Sequence, residues 1–275
     1  MGKITIFTEF YLRTFLRSRL FLGIFAFILV ILFTMIFLSY KTLNFNGYDS
    51  FSYVLGRVQG IEKIDLVYFL WTVPYSILVV FAPAVLAAFV FSHDIESGEA
   101  QVYYSYPISR VQILVAKLFV SFLLSIAVLS VYEFGEALTL SIYFKQMIPL
   151  SFLWSYFLSI VAALTIISVV SLCSSLVKNS LFTIFFFFLI YFVIFNIINI
   201  YSEIVGGTLP DFLLNNDVNS VAQVFSQINL IPFGNAGAIQ GISIFEIIRD
   251  TSLMSMYASV SFMLTLLKYT GGDVA

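Results

Sequence analysis

Runs of about twenty uncharged residues, separated by short polar clusters, set the rhythm of this chain. A run of that length makes a helix about 30 Å long, enough to cross the hydrocarbon of a bilayer. Six such runs are present, at 21–40, 67–92, 118–144, 149–174, 180–201 and 251–267. The second holds Pro74 and Pro83. The third is apolar apart from Glu133 and Glu136, and the fifth contains the stretch FTIFFFFLIYFVIF. The sixth spans only about 25 Å and is expected to borrow a turn from the preceding ISIFEII. The pattern predicts an all-α integral membrane protein with six transmembrane helices.

The segments between the runs have patterns of their own. Within residues 1–19, Glu9, Arg13 and Arg17 recur at i, i+4, i+8, while Phe7, Phe10, Tyr11, Phe15 and Leu16 mostly take the other side. That is an amphipathic helix expected to lie in the membrane interface. Residues 202–250 contain Gly206–Gly207, Pro210 and NNDVNS, followed by a semi-apolar stretch too polar and Gly-interrupted to span. This outer segment is expected either to cap the bundle or to re-enter the outer leaflet where protein covers its backbone.

Composition narrows the class. Of 275 residues, 61% are hydrophobic and 10% charged, against about 25% charged in soluble domains. Such a chain cannot cover itself with a water-compatible surface, which excludes a soluble enzyme, a nucleic-acid binder and a disordered protein. The 32 Phe and 16 Tyr suit lipid-facing and interfacial positions. A net charge of −2 carries no polyanion signal. The lone Cys173 excludes an internal disulfide framework and a multi-Cys metal site.

Lys and Arg distribute unevenly about the six runs. Lys3, Arg13, Arg17, Arg19, Arg110, Lys117, Lys178 and Lys268 fall on one side; Lys41, Arg57, Lys63, Lys145 and Arg249 fall on the other. Arg17 and Arg19 abut the first run, so both termini are expected in the cytoplasm of a multi-pass cell-membrane protein.

The connection between the second and third runs, 93–117, carries the most information. Asp94, Glu96 and Glu99 cluster just past the second run, and Ser105-Tyr106-Pro107 breaks the following helical segment. Ser109 then offers an N-cap with Gln112 at capping-box spacing. The expected result is a short helix across the membrane plane, joined by an elbow at Pro107 to span three.

These residues carry a resemblance. The order Glu96-Ser97-Gly98-Glu99, then Ser105, Pro107, Ile108, Ser109 and Arg110, then Ile113, Leu114, Lys117 and Leu118 resembles the loop of ABC transporter permeases of the type-2 exporter class, in their single-domain six-helix subgroup. The amphipathic entry helix, the long outer segment before span six and the ending Lys268, Tyr269, Gly272, Asp273, Val274 agree with it. Glu99 departs from the small polar residue usual there. The resemblance implies that 93–117 holds a cytoplasmic coupling helix seated on a separate ATP-binding subunit, with Glu96, Ser97, Gly98, Glu99, Ser105, Pro107, Ser109 and Arg110 at that contact. It implies no cofactor in this chain, ATP and Mg being held by the partner, and a second permease copy or a related permease completing the pore.

The chain itself lacks hydrolytic machinery. There is no G-x-x-x-x-G-K-[ST], G-x-S-x-G or H-E-x-x-H, and the single His93 has no second His or Cys beside it. It is therefore read as no enzyme, with ATP hydrolysis left to another polypeptide. Glu133 and Glu136 lie about 24 and 28 Å along span three from Lys117 and share a helix face. A charge in hydrocarbon costs at least about 2.5–3.5 kcal/mol, so both are expected to face protein or water. They are candidate transport-path residues, and they support the alternative function of an ion-coupled secondary transporter.

Overall fold

A computed structural model describes residues 3–43, 63–96, 109–145, 150–177, 179–206, 212–226 and 243–271. All its regular elements are helical. In chain order they are α1 (Lys3–Leu16), α2 (Arg19–Leu43), α3 (Lys63–Glu96), α4 (Arg110–Phe144), α5 (Leu150–Val177), α6, α7 (Leu214–Ser226) and α8 (Ile244–Gly271). The sixth helix is built from Ser180–Phe188, a widened turn at Leu189–Ile194, and Phe195–Gly206. At the widened turn Phe195 N–H donates to the carbonyl of Ile190, five residues back. Turns of this kind recur at functional sites, and nothing in FTIFFFFLIYFVIF announces one.

Five helices are long and apolar enough to cross a membrane: Arg19–Thr42, Leu70–Asp94, Arg110–Tyr143, Leu150–Val177 and Ser180–Val205. This is an all-α, multi-pass membrane architecture. The sixth expected span is a continuous helix of 28 residues, α8, but it is more polar than the other five and is not among them. It does borrow residues ahead of 251, starting at Ile244 with a capping box. Ser243 N–H donates to Glu246 Oε2 at 2.8 Å, and Glu246 N–H returns to Ser243 Oγ at 3.2 Å. The Ser243 backbone N–H and hydroxyl hold the Glu246 carboxyl below its ordinary range.

The centre of the bundle is α3, α4 and α5, packed on one another, with α8 against α5 and α4. α2 lies against α4 and α3, and α6 against α3 and α5, each with little of its surface covered. Their outward rows, Phe27, Phe33 and Phe37 on α2 and Leu181, Phe182 and Phe185 on α6, are exposed and suit lipid. α3 runs unbroken through Pro74 and Pro83. Packing between helices in a bilayer depends on close fit rather than on expulsion of water. Gly135 on α4 shows this: a Cβ added there would collide with the Leu32 side chain of α2. Gly135→Ala is expected to lower unfolding stability in detergent by about 1–3 kcal/mol, with most of the loss restored by Leu32→Ala in the same chain.

Candidate functional site

Contacts between helices sort the bundle into two ends. At one end lie the last turn of α3, the first turns of α4 and α6, the last turn of α8, and α1. The connection 97–108 joins α3 to α4 there, and this is the loop end. Asp94 and Lys117, each 3% exposed, form an ion pair at 2.9 Å between α3 and α4. Lys117 also donates to the Phe91 carbonyl at 3.1 Å. Tyr11 of α1 donates its hydroxyl to Asp94 Oδ2 at 2.6 Å and lays its ring 5.7 Å from the Lys117 ammonium. Tyr11 and Phe15 are buried, and α1 packs along α4. The entry helix is therefore anchored in protein on that face. Its opposite stripe carries the exposed Glu9–Arg13 pair.

Both roots of the loop are bonded onward. Glu96, the last residue of α3, accepts from the Ser180 backbone N–H and takes its hydroxyl at 2.9 and 3.0 Å. A carboxylate at the first turn of α6 also complements that helix's dipole. Ser109 starts α4 through the expected capping box, accepting from Gln112 N–H at 3.3 Å while Gln112 Oε1 accepts from Ser109 N–H at 3.3 Å. Arg110 reaches the Tyr269 carbonyl of α8 at 3.5 Å.

Two boundaries differ from the sequence reading. Residues 93–96 are the last turn of α3 and 110–117 are the first two turns of α4, which continues into the span. No breaker lies between Ser109 and Leu118. The charge on Lys117 is met inside the bundle by Asp94. Of the expected coupling residues, Glu96, Ser109 and Arg110 are placed as above. Ser97, Gly98, Glu99, Ser105 and Pro107 lie outside the described residues. His93 packs edge-on against the Phe15 ring, 5.7 Å between centroids.

Toward the other end, Glu133 and Glu136 sit inside the bundle at 3% and 0% exposure. Neither the Glu133 nor the Glu136 carboxyl has an ion-pair partner among the described residues; the Tyr75 phenol stands beside Glu133, and both Glu136 oxygens lack a hydrogen bond there. Aromatic residues surround them. Trp71 and Tyr75 of α3 flank Tyr132 of α4, with ring centroids 5.3 and 5.7 Å away and the two tyrosines nearly parallel at 6°. The Tyr75 phenol faces Glu133 and Ser159 of α5. The frame is rigidly bonded: Tyr132 donates to the Trp71 carbonyl and Trp71 Nε1 to Ser39 of α2, both at 2.8 Å.

α7 is the element that sequence reasoning did not resolve. It packs on α5, α3 and α8, and Ser155 of α5 donates to its Val221 carbonyl at 2.8 Å. Asn216 and Asn199 of α6 exchange amide hydrogen bonds at 2.9 Å, and Tyr257 of α8 donates to the Phe212 carbonyl at 2.7 Å. Ser155 lies one helical turn beyond Ser159 on α5, so α7 covers that end of the bundle about 6 Å beyond the level of Ser159. The signal for this was present. NNDVNSVAQVF places Asn215, Val218 and Ala222 on one face, and Asn196 and Asn199 stand three apart on α6.

No known protein-family model matches this chain. No curated protein matches it either.

Proposed function

We propose that this chain is the membrane permease subunit of an ATP-driven ABC exporter. In this reading six helices cross the cell membrane with both termini in the cytoplasm, α8 being the sixth. A separate ATP-binding subunit hydrolyses ATP against the loop 97–108. A second copy or a related permease completes the pore. The resemblance of Glu96–Leu118 to the coupling loop of such permeases motivates the reading.

One observation carries it physically: each root of that loop is bonded to a helix other than its own. Glu96 holds α6 through Ser180, Arg110 holds α8 through Tyr269, and the Asp94–Lys117 pair ties α3 to α4 and, through Tyr11, to α1. The Asp94–Lys117 pair is buried, while the Glu96 and Arg110 bonds are partly exposed. A push on the loop would reach α3 and α4 through its roots and pass through these bonds to α1, α6 and α8. That is the mechanical property a coupling element needs. Closure of the ATP-binding subunits would tilt α3 and α4 and open the path toward the far end.

The test is co-purification. An ATPase co-expressed from the neighbourhood of the gene is expected to be retained by the wild-type chain. Gly98→Trp and Glu99→Lys, which change the loop without touching its bonded roots, should abolish that retention. Unchanged retention in both, with the folded protein recovered in normal yield, would refute the coupling assignment.

A further inference from the structure

We propose that Glu133 and Glu136 form an enclosed cation site between α3, α4 and α5, which takes up monovalent positive charge as protons or as an alkali-metal ion. This does not depend on the ATPase reading, because it concerns a different end of the bundle and none of the loop residues.

Two carboxyls on one helix face are not a site in themselves. Here both carboxyls are buried, Glu133 has only the Tyr75 phenol beside it, and both oxygens of Glu136 are unpartnered among the described residues. In native structures nearly every buried polar atom is satisfied, so a fully buried carboxyl without a bond beside a second one marks a missing partner. The missing partner is positive. No basic side chain forms an ion pair with either glutamate among the described residues, whereas the other deeply buried carboxylate at the loop end, Asp94, has Lys117.

Among the described side chains the charged groups on neighbouring elements lie elsewhere, and α7 contributes one buried acid, Asp217, and no base. α5 has no charged residue along Leu150–Val177. Glu9 and Arg13 of α1 pair with each other, and Arg249 of α8 pairs with Asp250. Arg19 and Lys41 stand at the ends of α2, and Lys268 near the end of α8. His93, Asp94 and Glu96 of α3 are at the loop end. Lys117, on α4 itself, is about 24 Å away along the helix axis. The titratable neighbours at the pair itself are Tyr75 and Tyr132, both phenols, with Ser159 adding a hydroxyl.

The ligand set suits this class of cargo. Carboxylate and hydroxyl oxygens are hard donors that favour protons and alkali ions over soft metals. Two ionised carboxylates left without a counter-ion in an apolar bundle would carry a desolvation cost that the neighbouring phenols and hydroxyl do not offset. Uptake of positive charge removes it.

Two measurements on the purified full-length protein decide the matter. With choline as the only added cation, infrared difference spectra between neutral and alkaline pH should show protonated-carboxyl absorption if protons occupy the pair. That absorption should fall in Glu133→Gln and again in Glu136→Gln. If an alkali ion occupies it, radiolabelled sodium should bind at equilibrium, compete with lithium but not choline, and be lost in the double Gln variant. Observation of ionised carboxylates only, together with no bound sodium, in the wild-type protein would overturn the proposal, and that result needs no variant to fold.

Discussion

Lys117→Met should cost the protein about 3–5 kcal/mol of unfolding stability, because it removes the ammonium 2.9 Å from the buried Asp94 carboxylate. Asp94 is almost fully enclosed; the Tyr11 hydroxyl donates to one of its oxygens and His93 Nδ1 stands 3.8 Å from the other. Asp94→Asn should be similarly damaging, since it leaves the Lys117 ammonium with neutral acceptors and the Tyr11 ring among the described residues. The double replacement Asp94→Asn with Lys117→Met should recover much of the loss. Removing both partners takes away the desolvation cost along with the attraction. Denaturant unfolding in a fixed detergent, arranged as a double-mutant cycle, gives the coupling directly. The exposed pair Glu9–Arg13 is the control: Arg13→Ala should change stability by less than about 1 kcal/mol. If Lys117→Met behaved like Arg13→Ala, the pair would not be the clamp that unites α1, α3 and α4.

The same pair shows where sequence reasoning stops. The apolar runs were legible because a bilayer demands about twenty uncharged residues, and the five strongest are helices of the required length. The start of α4 was legible from Ser109 and Gln112, whose capping box forms. Its continuation was not. A lysine eight positions into a helix looks like a membrane-surface residue until its counter-ion is known, and that counter-ion sits 23 positions earlier on another helix. Tyr11 is comparable: an apolar stripe on an entry helix reads as lipid-facing, and only the packing of α1 on α4 reveals a protein face.

The far end was harder still. Asn196, Asn199, Asn215 and Asn216 look polar in isolation, and their pairing across α6 and α7 depends on the chain returning to the bundle. The glutamates behave differently again. Their residence inside the bundle follows from insertion cost alone, yet the absence of a counter-ion among the described residues is visible only in the folded bundle. An ATP-driven exporter needs mechanical bonding of the kind proposed at the loop end, and an ion-coupled carrier needs a charge site of the kind proposed near the other. The two proposals taken together would pair charge movement with an externally driven tilt.

That pairing requires the frame around the glutamates to be stiff, and Trp71 is its keystone. Trp71→Ala is expected to lower unfolding stability by about 3–5 kcal/mol. The indole is fully buried. It contacts the Tyr132 ring and donates to Ser39, while the backbone carbonyl of the same residue receives the Tyr132 hydroxyl. Truncation opens a cavity against α2 and α4, removes the Ser39 bond, and takes away the ring that packs on Tyr132, whose own ring stacks on Tyr75 beside Glu133. In a bilayer the unfolded reference keeps its apolar side chains in lipid, so the loss registers as packing and hydrogen bonding rather than as transfer from water. Trp154, 41% exposed on α5, offers the comparison. Its indole leans edge-on against Phe157, and Trp154→Ala should cost under about 1 kcal/mol because exposed positions leave no cavity behind. Equal costs at the two tryptophans would mean that Trp71 does not frame the glutamate site.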